Sequence, residues 1–403
     1  MNMKKIISII LCVSVACSSA VCVSADGGNV NEYDNTVQTA LTAETTDVES
    51  LLKNMTARSI SVIETSTGKS LFSKNNTEKL SVSHFAKLMT LLIAAESIDS
   101  GDLSLKDTVT VSEYANSMQG SQIWLDKGEK ISVEELVKSI TVGNANDACV
   151  ALAERIAGSE EKFVQIMNER AKNLKMCDTH FEDCTGINEK SVSTADDIAK
   201  LCSELLKYKN MKEYLTTWSD TVRGGKTELV NLNRLVRSYK GISGMKACGS
   251  EKTGNCIAAT AQRGDMSVCV VLLGCKTSED RDSEVKKLLD MSFDSFEIFT
   301  PDVSEEFLSD IIVTNGETNH VKAVLDGKVK VVIPRGASWS VEMETERAES
   351  LPAPVNKGDS AGKLVCKLAD DIIITADLKA DDCVKKMNMK CGMKKLIYNL
   401  LNL

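Results

Sequence analysis

Histidine is scarce: the 403-residue chain holds three, His84, His180 and His320. They lie far apart and none accompanies a Cys-x-x-Cys pair, so a zinc site of the usual ligand spacing is not expected, and neither metal nor cofactor is called for. A surplus of positive charge is also missing. Lys and Arg number 48 against 57 Asp and Glu, a net charge of -9, which argues against a nucleic-acid footprint spread over the surface. The 14 cysteines lack the tight spacing of a small disulfide scaffold. What is present is ordinary for a folded soluble protein, with 43% hydrophobic and 26% charged residues. At roughly 100–200 residues per domain, the length suggests two globular domains plus appendages.

The N-terminus reads as an export leader over residues 1–25. Lys4 and Lys5 precede an apolar run from Ile6 to Ala16, and Val23-Ser24-Ala25 supplies the small residues of a cleavage site before Asp26. A retained membrane anchor would need roughly 20 apolar residues, and Cys17-Ser18-Ser19 interrupts the run too soon. Cleavage would leave a net charge of -11 and eleven cysteines, since Lys4, Lys5, Cys12, Cys17 and Cys22 depart with the leader. Those eleven are expected mostly as buried, reduced core residues. Residues 26–48, rich in Asn, Thr, Gly, Asp and Glu, suit a flexible spacer.

From residue 49 the pattern alternates strand and helix. Ser59 to Phe72 alternates apolar and polar residues around the turn Ser66-Thr67-Gly68-Lys69, as a half-buried hairpin does. Beyond Phe85, Leu88, Leu91, Leu92 and Ala95 fall on one helical face. Further helical spacing covers Val133 to Ile140, Asp147 to Ile156, Glu161 to Leu174, Ala195 to Leu206 and Glu284 to Phe296, and Met266 to Leu273 reads as a buried strand. Together they predict an α/β domain over 49–298. Past Thr300-Pro301 come short β runs at Ile311 to Thr314, Val321 to Leu325, Val329 to Ile333, Ser338 to Met343, Gly362 to Leu368 and Asp371 to Thr375. They predict a small all-β sandwich over 303–377. Residues 382–403 are expected to be an amphipathic helix with Met389, Met393, Leu396, Ile397 and Leu400 on one face, and Lys390, Lys394 and Lys395 around it. That pattern fits a helix lying on an anionic membrane surface, the alternative being a helix docked on its own β domain.

The residues also carry a family resemblance. Ala57-Arg58-Ser59-Ile60-Ser61-Val62-Ile63 with Thr67-Gly68-Lys69-Ser70-Leu71-Phe72-Ser73-Lys74-Asn75 resembles the opening of the serine-type D-Ala-D-Ala carboxypeptidases, the low-molecular-weight penicillin-binding proteins of peptidase family S11. Lys87-Leu88-Met89-Thr90, Asn146-Asp147-Ala148, Met167-Asn168-Glu169-Arg170-Ala171, Leu229-Val230-Asn231, Gly241-Ile242-Ser243-Gly244-Met245-Lys246 and Leu351-Pro352-Ala353-Pro354-Val355 follow in the family's order. The resemblance implies a penicillin-binding, β-lactamase-like transpeptidase fold ahead of the β domain. It also implies an extracytoplasmic place at the outer face of the cytoplasmic membrane. The implied partner is a peptidoglycan stem peptide ending in D-Ala-D-Ala, with another cell-wall protein as a further candidate.

The family's chemistry joins three clusters: Ser-x-x-Lys at a helix start, Ser-x-Asn on a loop and Lys-Thr-Gly on a strand. Serine is acylated while D-alanine leaves, and the lysine three residues on takes its proton. The second serine relays protons. The third motif's lysine neutralises the substrate carboxylate while backbone N–H groups hold the oxyanion. This sequence departs from that pattern at every cluster. His84 stands three residues before Lys87; Asn144-Ala145-Asn146 puts asparagine at the relay serine; Lys246-Ala247-Cys248 replaces Lys-Thr-Gly. The literal Lys252-Thr253-Gly254 falls six residues late and is expected in the following loop. Ser83, four residues before Lys87, is a conceivable displaced nucleophile, although a one-residue slide turns it about 100° around the helix. The expectation is an inactive or very weak homologue acting as a binding module, with an active enzyme using Ser83 as its rival.

Overall fold

The computed structural model describes residues 48–81, 83–303, 308, 310–327 and 329–401. The leader over 1–25 and all but the last residue of the spacer over 26–48 lie outside the described residues, as do the side chains of Ser83, Lys394, Lys395, Leu396 and Leu400. The chain divides into two compact units between Asp294 and Ser295.

The first unit is built on a five-stranded antiparallel sheet. Its strands are β1 (Ser59–Glu64), β2 (Ser70–Lys74), β3 (Ile242–Ser250), β4 (Gly254–Arg263) and β5 (Met266–Cys275), in the order β2-β1-β5-β4-β3. The first hairpin forms where its alternation predicts, but it is not half-buried: all six residues of β1 are buried. Its turn is stapled by the buried Glu64 carboxylate, which accepts the N–H of Thr67 at 2.7 Å and that of Ser66 at 3.1 Å.

Helices α1 (Ala86–Asp99), α2 (Val133–Thr141), α3 (Asn146–Ala157), α4 (Glu160–Asn173), α5 (Ala195–Leu205) and α6 (Ser278–Ser295) complete the unit. Their starts are written in the sequence: Ser132 and Glu135 form a capping box on α2, Ser159 caps α4 and Thr194 caps α5. Helix α1 differs from the one-faced helix that its spacing predicts. Every residue from Ala86 to Ala95 is buried, because α1 runs through the middle of the core with α3 and α5 against it. A helix apolar on all sides belongs in such a place, and Lys87 is carried into the interior with it.

The second unit begins with β6 (Phe296–Phe299), where helical spacing was expected to run on to Phe296. It continues through β7 (Ile311–Thr314), β8 (His320–Val321), β9 (Ala323–Leu325), β10 (Val331–Pro334), β11 (Val341–Arg347), β12 (Ser350–Pro352), β13 (Ser360–Leu368) and β14 (Asp371–Ala380). A three-stranded sheet β8-β7-β12 and a four-stranded sheet β9-β14-β13-β11 share one apolar core containing Ile311, Val313, Leu364, Cys366 and Leu378. Ser338 to Ser340 is a 3-10 turn, not the start of a strand.

The C-terminal helix needs a correction. The expected helix over 382–403 starts only at α7 (Met389–Leu401). Val384 is instead 4% exposed within the β core, and it exchanges both backbone hydrogen bonds with Val355. Burying that side chain and completing the ladder outweigh the helical preference of the segment. The eleven cysteines of the described residues are all free, and eight of them are buried, as expected.

Truncation after Asn388 should therefore leave the melting of the second unit unchanged, whereas truncation from Asp382 should lower it. Val384→Ala in the full chain should cost about 2 kcal/mol. Thermal and urea unfolding of the three proteins check this.

Candidate active site

A 3-10 turn over Ser83–Phe85 delivers the chain into α1, and Lys87 is the second residue of that helix. Its amine nitrogen is completely buried. It donates to Asn146 Oδ1 at 2.6 Å and to the Thr185 carbonyl at 2.6 Å, and lies 3.2 Å from His84 Nδ1. Burial alone pulls its pKa below the ordinary lysine value, with no carboxylate in hydrogen-bond contact to restore it.

His84 is the group at the position three before Lys87. Its Nδ1 lies 3.2 Å from Lys87 Nζ and 3.4 Å from the Thr185 carbonyl, so it accepts from the lysine in one tautomer and donates to the carbonyl in the other. Burial, then the Lys87 charge, pull the imidazole pKa from 6.5 to about 4. Asp183, the acid nearby, spends its oxygens on the N–H groups of Thr185 (2.7 Å), Asn188 (2.5 Å) and Gly186. His84 is left without an orienting carboxylate among the described residues.

Asn146 opens α3 and ties the cleft to the segment above it. Its Nδ2 donates to the Gln119 carbonyl at 2.7 Å and its backbone N–H to the Ser121 carbonyl at 2.7 Å. Between them, Gly120 has φ +81° and would bring a Cβ to 2.9 Å from Asn146 Nδ2, so only glycine fits. Asn144 sits two residues before, at φ +57°, with its buried Oδ1 lacking a partner among the described residues.

On β3, Lys246 is 4% exposed and donates to the Ile140 carbonyl at the end of α2, at 2.8 Å. Burial first, then repulsion from Lys87, bring its pKa down to about 7. Ala247 is buried opposite Ile257, and Cys248 is buried opposite Cys256 in the β3–β4 ladder. The literal Lys252-Thr253-Gly254 falls at the β3–β4 turn, where Lys252 pairs with Glu189 at 2.5 Å. It forms no part of the cleft cluster. A cavity of about 600 Å³ lies beside β3, lined among others by Trp218, Asn231, Arg234, Cys248 and Arg281.

A family model described as D-alanyl-D-alanine carboxypeptidase matches residues 42–277. The chain belongs to the D-alanyl-D-alanine carboxypeptidase family. A second model, the C-terminal domain of penicillin-binding protein 5, matches residues 293–386. The carboxypeptidase DacF of Bacillus subtilis is 34% identical over 344 residues, 84% of this chain and 88% of that one. DacC of Escherichia coli is 32% identical over 81% of this chain and 83% of its own. Among solved structures, penicillin binding protein 5 from Haemophilus influenzae matches with a TM-score of 0.75 at 27% identity, covering 83% of this chain and 98% of that one. The fold is thus the penicillin-binding transpeptidase-like α/β domain followed by the family's β domain.

Within that family fold, the three motif regions read from the sequence meet in part. Lys87, His84 and Asn146 form one hydrogen-bonded cluster. Lys246 feels the Lys87 charge but bonds elsewhere, to Ile140. Sequence reasoning missed the Thr185 and Ile140 carbonyls, which carry no residue signature, and Arg281, 5% exposed on α6 beside the cavity.

A histidine whose folded pKa is depressed contributes stability in full above pH 6.5, and loses it as the pH falls toward about 4. The wild type should lose roughly 3 kcal/mol to this group over that window. His84→Asn should flatten the loss, as thermal unfolding at a series of pH values would show.

Proposed function

We propose that this chain is an exported cell-wall protein that holds D-Ala-D-Ala peptide ends reversibly and carries out its family's acyl transfer weakly or not at all. The observation that carries this reading is the imidazole of His84, with Nδ1 3.2 Å from Lys87 Nζ, at the place where the family's chemistry wants a hydroxyl. An acyl-transfer serine gives its proton to a neutral lysine. Burial favours that neutral form of Lys87, but the side chain three residues before it is an imidazole, not a hydroxyl. Asn144, Ala247 and Cys248 remove the relay hydroxyl, the strand hydroxyl and the glycine that lets a ligand backbone approach. Losing a catalytic nucleophile alone costs about 10⁶ in rate in a well-studied serine protease.

What remains suits an anion. Lys246 stands on β3, and Arg281, paired with Asp282 at 2.7 Å, lines the cavity beside that strand, so Lys246 is the positive group that a peptide carboxylate would meet there. Lys87 takes no part in holding it, because its donors are used within the fold. The leader over 1–25 supports export. Attachment to an anionic membrane is supported by the apolar stripe of α7: Met389, Met393, Ile397 and Leu401 are all exposed, which is not the pattern of a helix docked on its own domain. No described helix is long and apolar enough to cross a membrane.

Intact-mass analysis after incubation with benzylpenicillin tests the reading. No covalent adduct is expected, with weak reversible binding of a D-Ala-D-Ala peptide. An adduct would overturn it, and its loss in Ser83→Ala would identify the displaced nucleophile. His84→Ser alone should acylate slowly at most, and the combined His84→Ser, Asn144→Ser, Ala247→Thr, Cys248→Gly variant should release D-alanine measurably faster than any single change. Residues that act as a unit are strongly non-additive. For attachment, wild type should sediment with vesicles rich in anionic lipid at moderate salt, and the chain truncated after Asn388 should stay in the supernatant.

A further inference from the structure

The chain is poor in aromatics, with eight Phe, six Tyr and three Trp, and it places two of the most exposed rings together. In the first unit, among the described residues, Tyr114 is 48% and Trp124 68% exposed. The segments that bear them are joined: Asn116 Nδ2 donates to the Leu125 carbonyl at 2.7 Å, and Lys127 pairs with Glu113 at 2.6 Å.

Trp124 is held in a conformation that suits it badly. Its φ is +55°, a left-handed geometry that glycine or asparagine adopts at lower cost. The fold has a use for the turn. Asp147 Oδ2 accepts the N–H groups on either side of it, Ile123 at 3.1 Å and Leu125 at 3.0 Å, while both of those side chains are 1% exposed. Arg223 fixes the same segment through the Ile123 carbonyl at 2.9 Å. Nothing in this arrangement needs an indole. The segment is rigid, its backbone bears strain at Trp124, and the large ring it presents faces solvent.

The ring also stands close to the cleft. Ser121 and Gln119 hold Asn146 through their carbonyls, and Trp124 is three residues further on, so at ~3.3–3.6 Å per residue it lies within about 11 Å of Ser121. The geometry points to Trp124, with Tyr114 on the same rim, as a stacking platform for the sugar rings of a glycan strand. It rests on the reading of the cleft as a peptide site only for the direction from which that strand arrives: a stem peptide held by its carboxylate end is carried, at its other end, on a sugar.

The surroundings favour sugar over protein. A protein hot spot sits in a dry apolar ring, whereas the exposed side chains of the segment that bears Trp124 include Gln119, Ser121, Asp126 and Lys127. Isolated aromatic faces among hydrogen-bonding side chains match a ligand that alternates C–H faces with hydroxyl edges.

The test is titration calorimetry on the full chain with three probes: glycan strands stripped of peptide, a D-Ala-D-Ala peptide, and a muropeptide joining both. Trp124→Ala and Trp124→Asn should weaken the glycan and muropeptide by roughly tenfold, and leave the peptide within about twofold. Trp124→Phe should keep most of the affinity. Trp124→Asn should also raise the melting temperature, since asparagine accepts the left-handed turn; a structural tryptophan would lower it. Wild type that ignores stripped glycan, or Trp124→Asn that binds it like wild type, overturns the proposal. A wild type that binds glycan but not the peptide leaves it standing and removes the reading of the cleft.

Discussion

The hydrogen-bonded, buried amine of Lys87 is the interaction on which the cleft depends. A polar group taken wholly out of water is tolerable only when it is hydrogen-bonded. Its three partners come from three places: the turn before α1, the first residue of α3 and the loop after Cys184. The same contacts that satisfy the lysine therefore fix the relative positions of those elements. Asn146 passes the order outward, because its amide and backbone N–H both hold the segment over 119–121. Asp147 then extends it to Ile123 and Leu125. One buried lysine, in this arrangement, organises the rim of backbone from Gln119 to Leu125.

The electrostatics of the cleft follow from the same fact. Burial first, and repulsion from Lys87 second, bring the pKa of Lys246 down to about 7. The imidazole between the turn and Lys87 is kept neutral for the same reasons. Asp183 stands close enough to favour the charged forms of Lys87 and His84, even with its oxygens hydrogen-bonded to its own loop. Burial that lowers both lysine pKa values makes them better proton acceptors, so what the position three before Lys87 lacks for acyl transfer is the hydroxyl itself.

Much of this was legible in the sequence where periodicity announces it. Helices α2, α3, α4 and α5 lie within a few residues of the spans expected from apolar spacing. Other elements were silent. Strand β4 runs through Ala258, Ala259 and Ala261, residues with little strand preference, and forms because it is flanked by β3 and β5. The segment before α7 looked helical, but the β core claimed Val384 first. At the site, the family resemblance pointed to Lys87, His84, Asn144, Asn146 and Lys246. It could not locate the Thr185 and Ile140 carbonyls, because main-chain acceptors look alike in every sequence.

The free cysteines of the first unit have a consequence for how this protein fails. Seven of them, from Cys149 to Cys275, are buried, and Cys248 and Cys256 face each other directly across a ladder. Folded, they are shielded from oxidants by packing alone. Unfolded in air, they become thiolates that exchange and pair without regard to native order. Loss of structure would then be a one-way event, governed by how fast the chain opens and not by a reversible balance. Durability, for this molecule, is a matter of rates.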